Sequence, residues 1–301
     1  MRIQAAETIM RKNIRYSEDD ARERTAMGKV EDVILRHSQR GMTTLKAYLD
    51  EDYCAQAADA LLALPKGTVI LTTGFYVAGY AETDGPLGTV YLAKALNALG
   101  YYAVILTDAF CQGFFEPEQV EVVYAPIDAP KTYYQDLLKQ YQPAACIAIE
   151  RCGENVQGDY ANMRGVSIAE HTARIDELFE LAKEQHIPTF GVGDGGNEIG
   201  MGNLKEVISE KLSLVPCRTC VDHLIIATVS NWGAYGLTAC LEAKTGKKVF
   251  PSYPEVAKYL ESIVALGSVD GVKKEHICTV DGFSAEIEKE IVEGLENLLQ
   301  V

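Results

Sequence analysis

The segment Gly191-Val-Gly-Asp194-Gly-Gly-Asn197-Glu198-Ile-Gly-Met-Gly202 sets two carboxylates and an amide among glycines, directly after the apolar run Ile187–Val192. Glycine reaches φ > 0 and lets the backbone come close to a ligand, at a cost in folding entropy. A connector this rich in glycine, with three chelating side chains, reads as a binding site rather than a surface turn. Oxygen donors with few histidines favour a hard divalent cation, Mg2+, Mn2+ or Ca2+, over zinc. Asp194, Asn197 and Glu198 are therefore the candidate metal ligands, with substrate contact or plain turn structure as the alternatives.

Other polar residues gather in the same kind of place, at the ends of apolar runs. Thr72-Thr73-Gly74-Phe75 is followed by Glu82-Thr-Asp84-Gly85-Pro-Leu-Gly88, and Asp108, Glu150-Arg151 and Ser230-Asn231-Trp232-Gly233 each close a run. Asp84 suits a helix cap, while Gly85, Pro86 and Gly88 suggest helix-start amides open to a carboxylate or phosphate. Glu150, at the end of a buried run, needs a partner: a metal, or an arginine such as Arg151 or Arg164. Trp232 suits the core and a ligand platform equally.

Several familiar motifs are excluded. Gly191-x-Gly193-x-x-Gly196 matches a dinucleotide fingerprint in form, but no helix opens directly after it, and Asp194 would face the pyrophosphate; no NAD is expected. Cys217-x-x-Cys220 has no second ligand pair, so no zinc site is expected. Walker A, Gly-x-Ser-x-Gly and His-Glu-x-x-His are absent from the sequence, and none of the five histidines sits where a catalytic base is needed.

The elements that must position these residues are legible. Thr68–Thr73, Tyr102–Thr107, Val120–Tyr124, Ala144–Ile149, Pro188–Val192 and Leu224–Val229 are mostly continuous apolar runs, as in strands buried on both faces. Helical patterns alternate with them: Leu87–Leu99, residues 131–141, a helix opened by Ser167-Ile-Ala-Glu170 and running to about Gln185, Asn203–Leu212, Ala234–Thr245 after a Ser-Asn-Trp-Gly turn, and Ser284–Leu299. Strand–helix alternation predicts an α/β, Rossmann-like fold: a mostly parallel sheet with helices on both faces. Ligands in such sheets bind outside the carboxyl ends of the strands. Residues 1–66 read as a mainly helical segment (Ile3–Asn13, Glu31–Arg40, Asp52–Leu64), suited to a cap or a homo-oligomer contact. Residues 67–246 form the core and 247–301 a C-terminal element and helix, all in one compact unit.

Composition narrows the partners. With 28 basic and 43 acidic residues the formal charge is −15, which disfavours nucleic acid and anionic membranes but not a small anionic substrate, because a cation or helix dipole acts locally. Met1–Thr8 lacks a signal-peptide core, no run is long enough to span a bilayer, and the cysteines suit a reducing compartment. A cytoplasmic location is expected.

Thr73-Gly-Phe, Glu82-Thr-Asp-Gly-Pro-Leu-Gly, Glu150-Arg, Asn162-Met-Arg164-Gly165, Gly193–Gly202, Ser230-Asn-Trp-Gly and Val280-Asp-Gly282 together resemble the D-glutamate cyclase C-terminal domain family, over about residues 30 to 283. The resemblance implies a Rossmann-like fold and a lyase that converts D-glutamate to 5-oxo-D-proline and water. The vertebrate member also carries a hydro-lyase-like N-terminal region with no counterpart in these 301 residues. Under that resemblance Glu82, Asp84, Glu150 and Arg151 are the catalytic candidates. Thr73, Gly74, Gly85, Arg164, Ser230, Asn231 and Trp232 are substrate-binding candidates, and Glu150 is a further metal ligand beside Asp194, Asn197 and Glu198. The residues alone leave two other readings: a metal-dependent hydrolase acting on a phosphate ester, and a non-catalytic binding protein for a small anion.

Overall fold

The computed structural model describes residues 30–300; the helix expected over Ile3–Asn13 lies outside the described residues. Six strands form one parallel sheet: β1 (Thr68–Thr72), β4 (Tyr102–Thr107), β5 (Glu121–Tyr124), β6 (Ala145–Ile149), β7 (Thr189–Gly193) and β8 (His223–Ile226). They correspond to the six apolar runs. A separate hairpin, β2 (Tyr76–Val77) with β3 (Tyr80–Ala81), follows β1. The order is β5-β4-β1-β6-β7-β8; with the hairpin set aside this is the doubly wound 3-2-1-4-5-6 order, whose reversal lies between β1 and β6. The residues of β6 and β7 are buried throughout, which is why their sequences read as unbroken apolar runs.

Helices α1 (Tyr53–Ala63), α2 (Pro86–Ala98), α3 (Lys131–Tyr141), α4 (Asp176–Glu184), α5 (Lys205–Lys211), α6 (Ser230–Thr245), α7 (Tyr253–Ala265) and α8 (Ala285–Leu298) flank the sheet. α1, α2 and α8 pack against α6, whereas α3 packs against α4. The α2–α6 contact is close: a Cβ on Gly88 would lie 2.7 Å from the Ala234 Cβ and 3.0 Å from the Asn231 Cα. Only glycine fits there. Among the described residues, no helix is long and apolar enough to cross a membrane.

Four boundaries differ from expectation. The Glu31–Arg40 helix stops at residue 34, and left-handed His37 (φ 58) and Gly41 (φ 81) turn the chain, leaving Arg40 in a break instead of on a helix face. The helix expected from Ser167 begins only at Asp176: the Ser167 hydroxyl donates to Asp159 Oδ1 at 2.7 Å, and its oxygen accepts only the Ala169 N–H, at 3.5 Å, rather than the N–H of Glu170 that a capping box needs. Residues 151–172 are instead a looped layer, held by turns in which the Asn155 and Asn162 side chains accept backbone N–H groups. Ser230-Asn-Trp-Gly is the first turn of α6 and not a turn before it. Residues 247–275 contain α7, opened by a reciprocal Ser252/Glu255 capping box. The chain after α7 then folds back: Thr83 N–H donates to Val269 O at 2.8 Å and Thr83 Oγ1 to Thr279 O at 2.8 Å.

Candidate active site

The carboxyl ends of β1, β6, β7 and β8 lie side by side, since Thr72 pairs with Ala148, Ile149 with Val192 and Gly193 with Ile226. Each end delivers a polar group. β1 passes through the hairpin and returns as Glu82 and Asp84. β6 ends at Glu150, whose φ of 46 turns the chain out of the sheet. β7 ends at Asp194, and left-handed Gly196 and Gly200 fold the loop back so that Gly196 N–H donates to Glu198 Oε2 at 2.7 Å. β8 leads to Ser230, whose hydroxyl donates to Glu150 Oε2 at 2.5 Å. The refolded segment after α7 adds Asp281, also left-handed at φ 51. Left-handed non-glycine residues cost of order 1–3 kcal/mol and cluster at functional sites; here two of them are site carboxylates.

Six carboxylates thus converge: Glu82, Asp84, Glu150, Asp194, Glu198 and Asp281, all buried. Their oxygens form two overlapping triads, Asp84/Asp194/Asp281 and Glu150/Asp194/Glu198, with the atoms of each within 4.8 Å of one another. Glu82 adjoins the first, because a Cβ on Gly271 would run into its Oε2 and lie 3.0 Å from Asp281 Oδ1. Burial is the main reason the carboxyls resist ionisation. It pushes Asp84 up to about 7, helped by the charge of Asp281 and opposed by the Asn231 and Ser230 N–H groups. It pushes Glu82 well above its ordinary value, reinforced by Asp281 and Asp84, and Glu150 likewise, reinforced by Glu198 and Asp84. Asp194 is also raised, by burial against the relief of Arg40, and Glu198 by burial against the Gly196 N–H.

Arg40 is the cation that meets this cluster. Its Nη2 donates to Asp194 Oδ2 at 2.6 Å and to Asp281 Oδ2, and to Thr228 O at 3.3 Å. Burial works against its charge, but Asp194, Asp281 and Glu150 outweigh it and hold its pKa well above the ordinary value. Asp194 Oδ1 and Asn197 Oδ1 are fully buried without a hydrogen-bond partner. Asn197 is fixed by its Nδ2, which donates to Ala161 O at 2.9 Å. A Cβ on Gly195 would lie 2.7 Å from Glu198 Oε1 and 3.0 Å from Asn197 Oδ1, so glycine leaves these two oxygens room. Buried charges are paired, neutralised or bound to a metal, and this all-oxygen donor set fits a hard divalent cation.

A cavity of about 410 Å3 opens onto the cluster, within the usual ~300–1,000 Å3 of small-molecule sites. Its buried lining, an acidic floor, carries Glu82, Glu150, Asn197 and Asp281 with half-buried Arg40; its mouth carries exposed Arg164 and Lys274 and half-buried His171. The mouth is built by the hairpin, the looped layer and the segment after α7. Tyr76 stacks on His171 with ring centroids 4.2 Å apart.

The structure brings together Glu82, Asp84, Glu150, Asp194, Asn197, Glu198 and Ser230, with Arg164 at the mouth. Other expected residues play different parts. Arg151 is fully buried away from the cluster, ion-paired to Asp108 at 2.7 Å and donating to Gly74 O and Ala173 O. Of the partners open to Glu150, neither Arg151 nor Arg164 hydrogen-bonds to it; the Ser230 hydroxyl does. Thr73 and Gly74 do not line the cavity: Gly74 O accepts from Arg151, and Thr73 Oγ1 has no partner. The helix-start amides are taken, since Asn231 Oδ1 accepts from Gly85 N at 2.9 Å and Gly88 N at 2.7 Å. Trp232 is core: it donates to Glu288 Oε2 at 2.6 Å and its ring lies against Phe283. Sequence reasoning gives no role to Arg40, a lone arginine in no motif, nor to Asp281, which enters only within the Val280-Asp-Gly282 motif although its Asp-Gly dipeptide signals a left-handed turn.

Comparison with known proteins bears on this arrangement. Among curated proteins, the human protein named "D-glutamate cyclase, mitochondrial" is 34% identical over 202 residues, which is 58% of this chain but 32% of that protein's length. Among solved structures, the enzyme WbmH of Bordetella bronchiseptica in complex with NAD+ aligns over 60% of this chain and 54% of its own, with 16% identity and a TM-score of 0.29; an alignment that loose carries no argument about a ligand. The profile of the family described as "D-glutamate cyclase-like, C-terminal" matches residues 30–296, a span that takes in Arg40, every carboxylate of the cluster and the whole sheet, so the chain belongs to that family.

Proposed function

We propose that this protein is a lyase of the D-glutamate cyclase kind, which closes D-glutamate to 5-oxo-D-proline with loss of water, using one divalent cation held by Glu150, Asp194, Glu198 and Asn197. The observation that carries this reading is the polarity of the cavity: an acidic floor beneath a mouth bearing Arg164, His171 and Lys274. A substrate with an ammonium group and two carboxylates matches both ends. Family membership and the name of the human relative support the same choice.

The reaction forms a bond from the α-nitrogen to the γ-carbon and breaks one γ-carbon–oxygen bond. The ammonium gives up two protons, and the departing oxygen leaves with both as water. A divalent cation on the floor supplies neutralisation of the γ-carboxylate. Arg164 and Lys274 would hold the α-carboxylate at the mouth, bending the substrate so that amine and γ-carboxyl meet; such proximity removes much of the barrier. Glu82 is the better proton acceptor of the two expected. It lines the cavity, whereas both Asp84 oxygens accept backbone N–H groups of Gly85, Ser230 and Asn231. A carboxyl with a raised pKa suits the proton traffic, taking the proton from the amine and returning it to the leaving oxygen.

The test is incubation with D- and with L-glutamate, after metal stripping and after addition of Mg2+, Mn2+ or Ca2+, read by chiral chromatography with mass detection. Metal-dependent 5-oxo-D-proline is expected. Absence of 5-oxoproline under every metal condition would refute the reading. Hydrolysis of simple phosphate esters instead would point to the hydrolase, and binding of glutamate without turnover to a binding protein.

A further inference from the structure

The two carboxylate triads are alike in donor type and share Asp194, yet the structure treats them differently. Arg40 Nη2 contacts Asp194 and Asp281, two of the three members of the Asp84/Asp194/Asp281 triad. It makes no hydrogen bond to Glu150 or Glu198, and the Asp194 oxygen it leaves without a partner is Oδ1. We propose that Arg40 is a tethered cation that fills one of two metal-type sites, so that the protein binds a single divalent ion and carries a second, latent ion site beneath the guanidinium. The inference rests on the divalent-cation reading above and adds to it the stoichiometry and the residue that sets it.

Three further observations support it. The same Arg40 Nη2 also donates to a backbone carbonyl, Thr228 O, at 3.3 Å, so it is positioned by the fold and not merely drawn to charge. The chain break between His37 and Gly41, both left-handed, places Arg40 here where a continuous helix would have carried it elsewhere. A triad that loses its guanidinium keeps three buried carboxylates with no counter-charge, and a divalent ion is the chemistry that relieves them. Arg40 also lines the cavity.

The experiment is Mn2+ titration by calorimetry, with metal content of the dialysed protein measured by mass spectrometry, on the full chain. The wild type should bind one ion, Arg40→Gln two, and Arg40→Lys one. The double variant Arg40→Gln/Asp281→Asn should return to one, because the exposed triad then lacks a ligand. Circular dichroism confirms that each variant is folded; should Arg40→Gln fail to fold without metal, the same titration on Arg40→Met decides. One ion in both the wild type and the glutamine variant, or two in the wild type, would overturn the role of Arg40 and leave the cation reading standing. No ion in any of them would instead overturn the cation reading on which it rests.

Discussion

Glu82 and Asp84 are two residues apart and equally buried, yet their surroundings give them different work. Asp84 receives N–H groups from Gly85, Ser230 and Asn231 and ties the start of α2 to the start of α6. Glu82 faces the cavity. Glu82→Gln should therefore lower kcat by about 10²–10⁴-fold, the usual scale for a lost general base, while Mn2+ still binds by calorimetry; unchanged kcat would remove Glu82 from the mechanism. Arg151 gives the opposite pattern. Removing one partner of a buried ion pair costs about 3–5 kcal/mol, so Arg151→Met should lower the denaturation midpoint sharply by stranding Asp108. An unchanged midpoint would show that the pair is dispensable. A carboxylate at a strand end was visible in the sequence because burial demands a partner for it. Which partner it finds was not visible, since Ser230 lies 80 positions from Glu150 and nothing local announces the contact.

At the scale of elements, the loop after β7 is a cradle whose shape depends on glycine. Gly195→Ala would set a methyl among Glu198 Oε1, Asn197 Oδ1 and the Met163 sulfur, 2.5 Å away. The expected result is weaker Mn2+ binding with little change in melting temperature. A large loss of stability with intact metal affinity would mean that the loop serves the fold alone. The strands were legible because parallel strands buried on both faces must be continuous apolar runs. The looped layer over residues 151–172 was not: Ser167 and Glu170 have the spacing of a capping box, but Asp159 captures the serine hydroxyl and the helix starts nine residues later. The reverse holds before α7, where Ser252 and Glu255 form a working capping box in a segment whose sequence gives no strand to place it against. Arg40 was hidden for a related reason. The apolar pattern of residues 31–40 is helical, and only the left-handed turn at His37 takes the arginine off the helix.

At the scale of the molecule, the doubly wound order puts the reversal between β1 and β6, and the site occupies the crevice there, where ligands of such sheets bind. The segments after α6 close one side of it and couple it to the C-terminal helix: Trp232 donates to Glu288 on α8, and Phe283, two residues beyond Asp281, lies against Trp232. Burial raises Glu288 from 4.5 to about 7, against the relief of Trp232 and Tyr235, and raises Glu31 from 4.5 to about 7 despite the Cys54 N–H. The folded chain thus holds protons that the unfolded chain has already released between those values. Stability contributed by these groups is complete below the unfolded pKa and falls as pH rises through about 7. The melting temperature of wild-type protein should decline across that window, and Glu288→Gln, neutral at every pH, should decline less. Equal slopes would show that Glu288 is ionised in the folded state.

The central claim, that this acidic floor performs the ring closure, is tested most directly by comparing 5-oxo-D-proline formation from D-glutamate, with saturating Mn2+, in wild-type protein and in Asp194→Asn of matched melting temperature. Asp194 belongs to both triads, so its loss should abolish Mn2+ binding and turnover together. Turnover that survives at the wild-type rate in the folded variant would contradict the account.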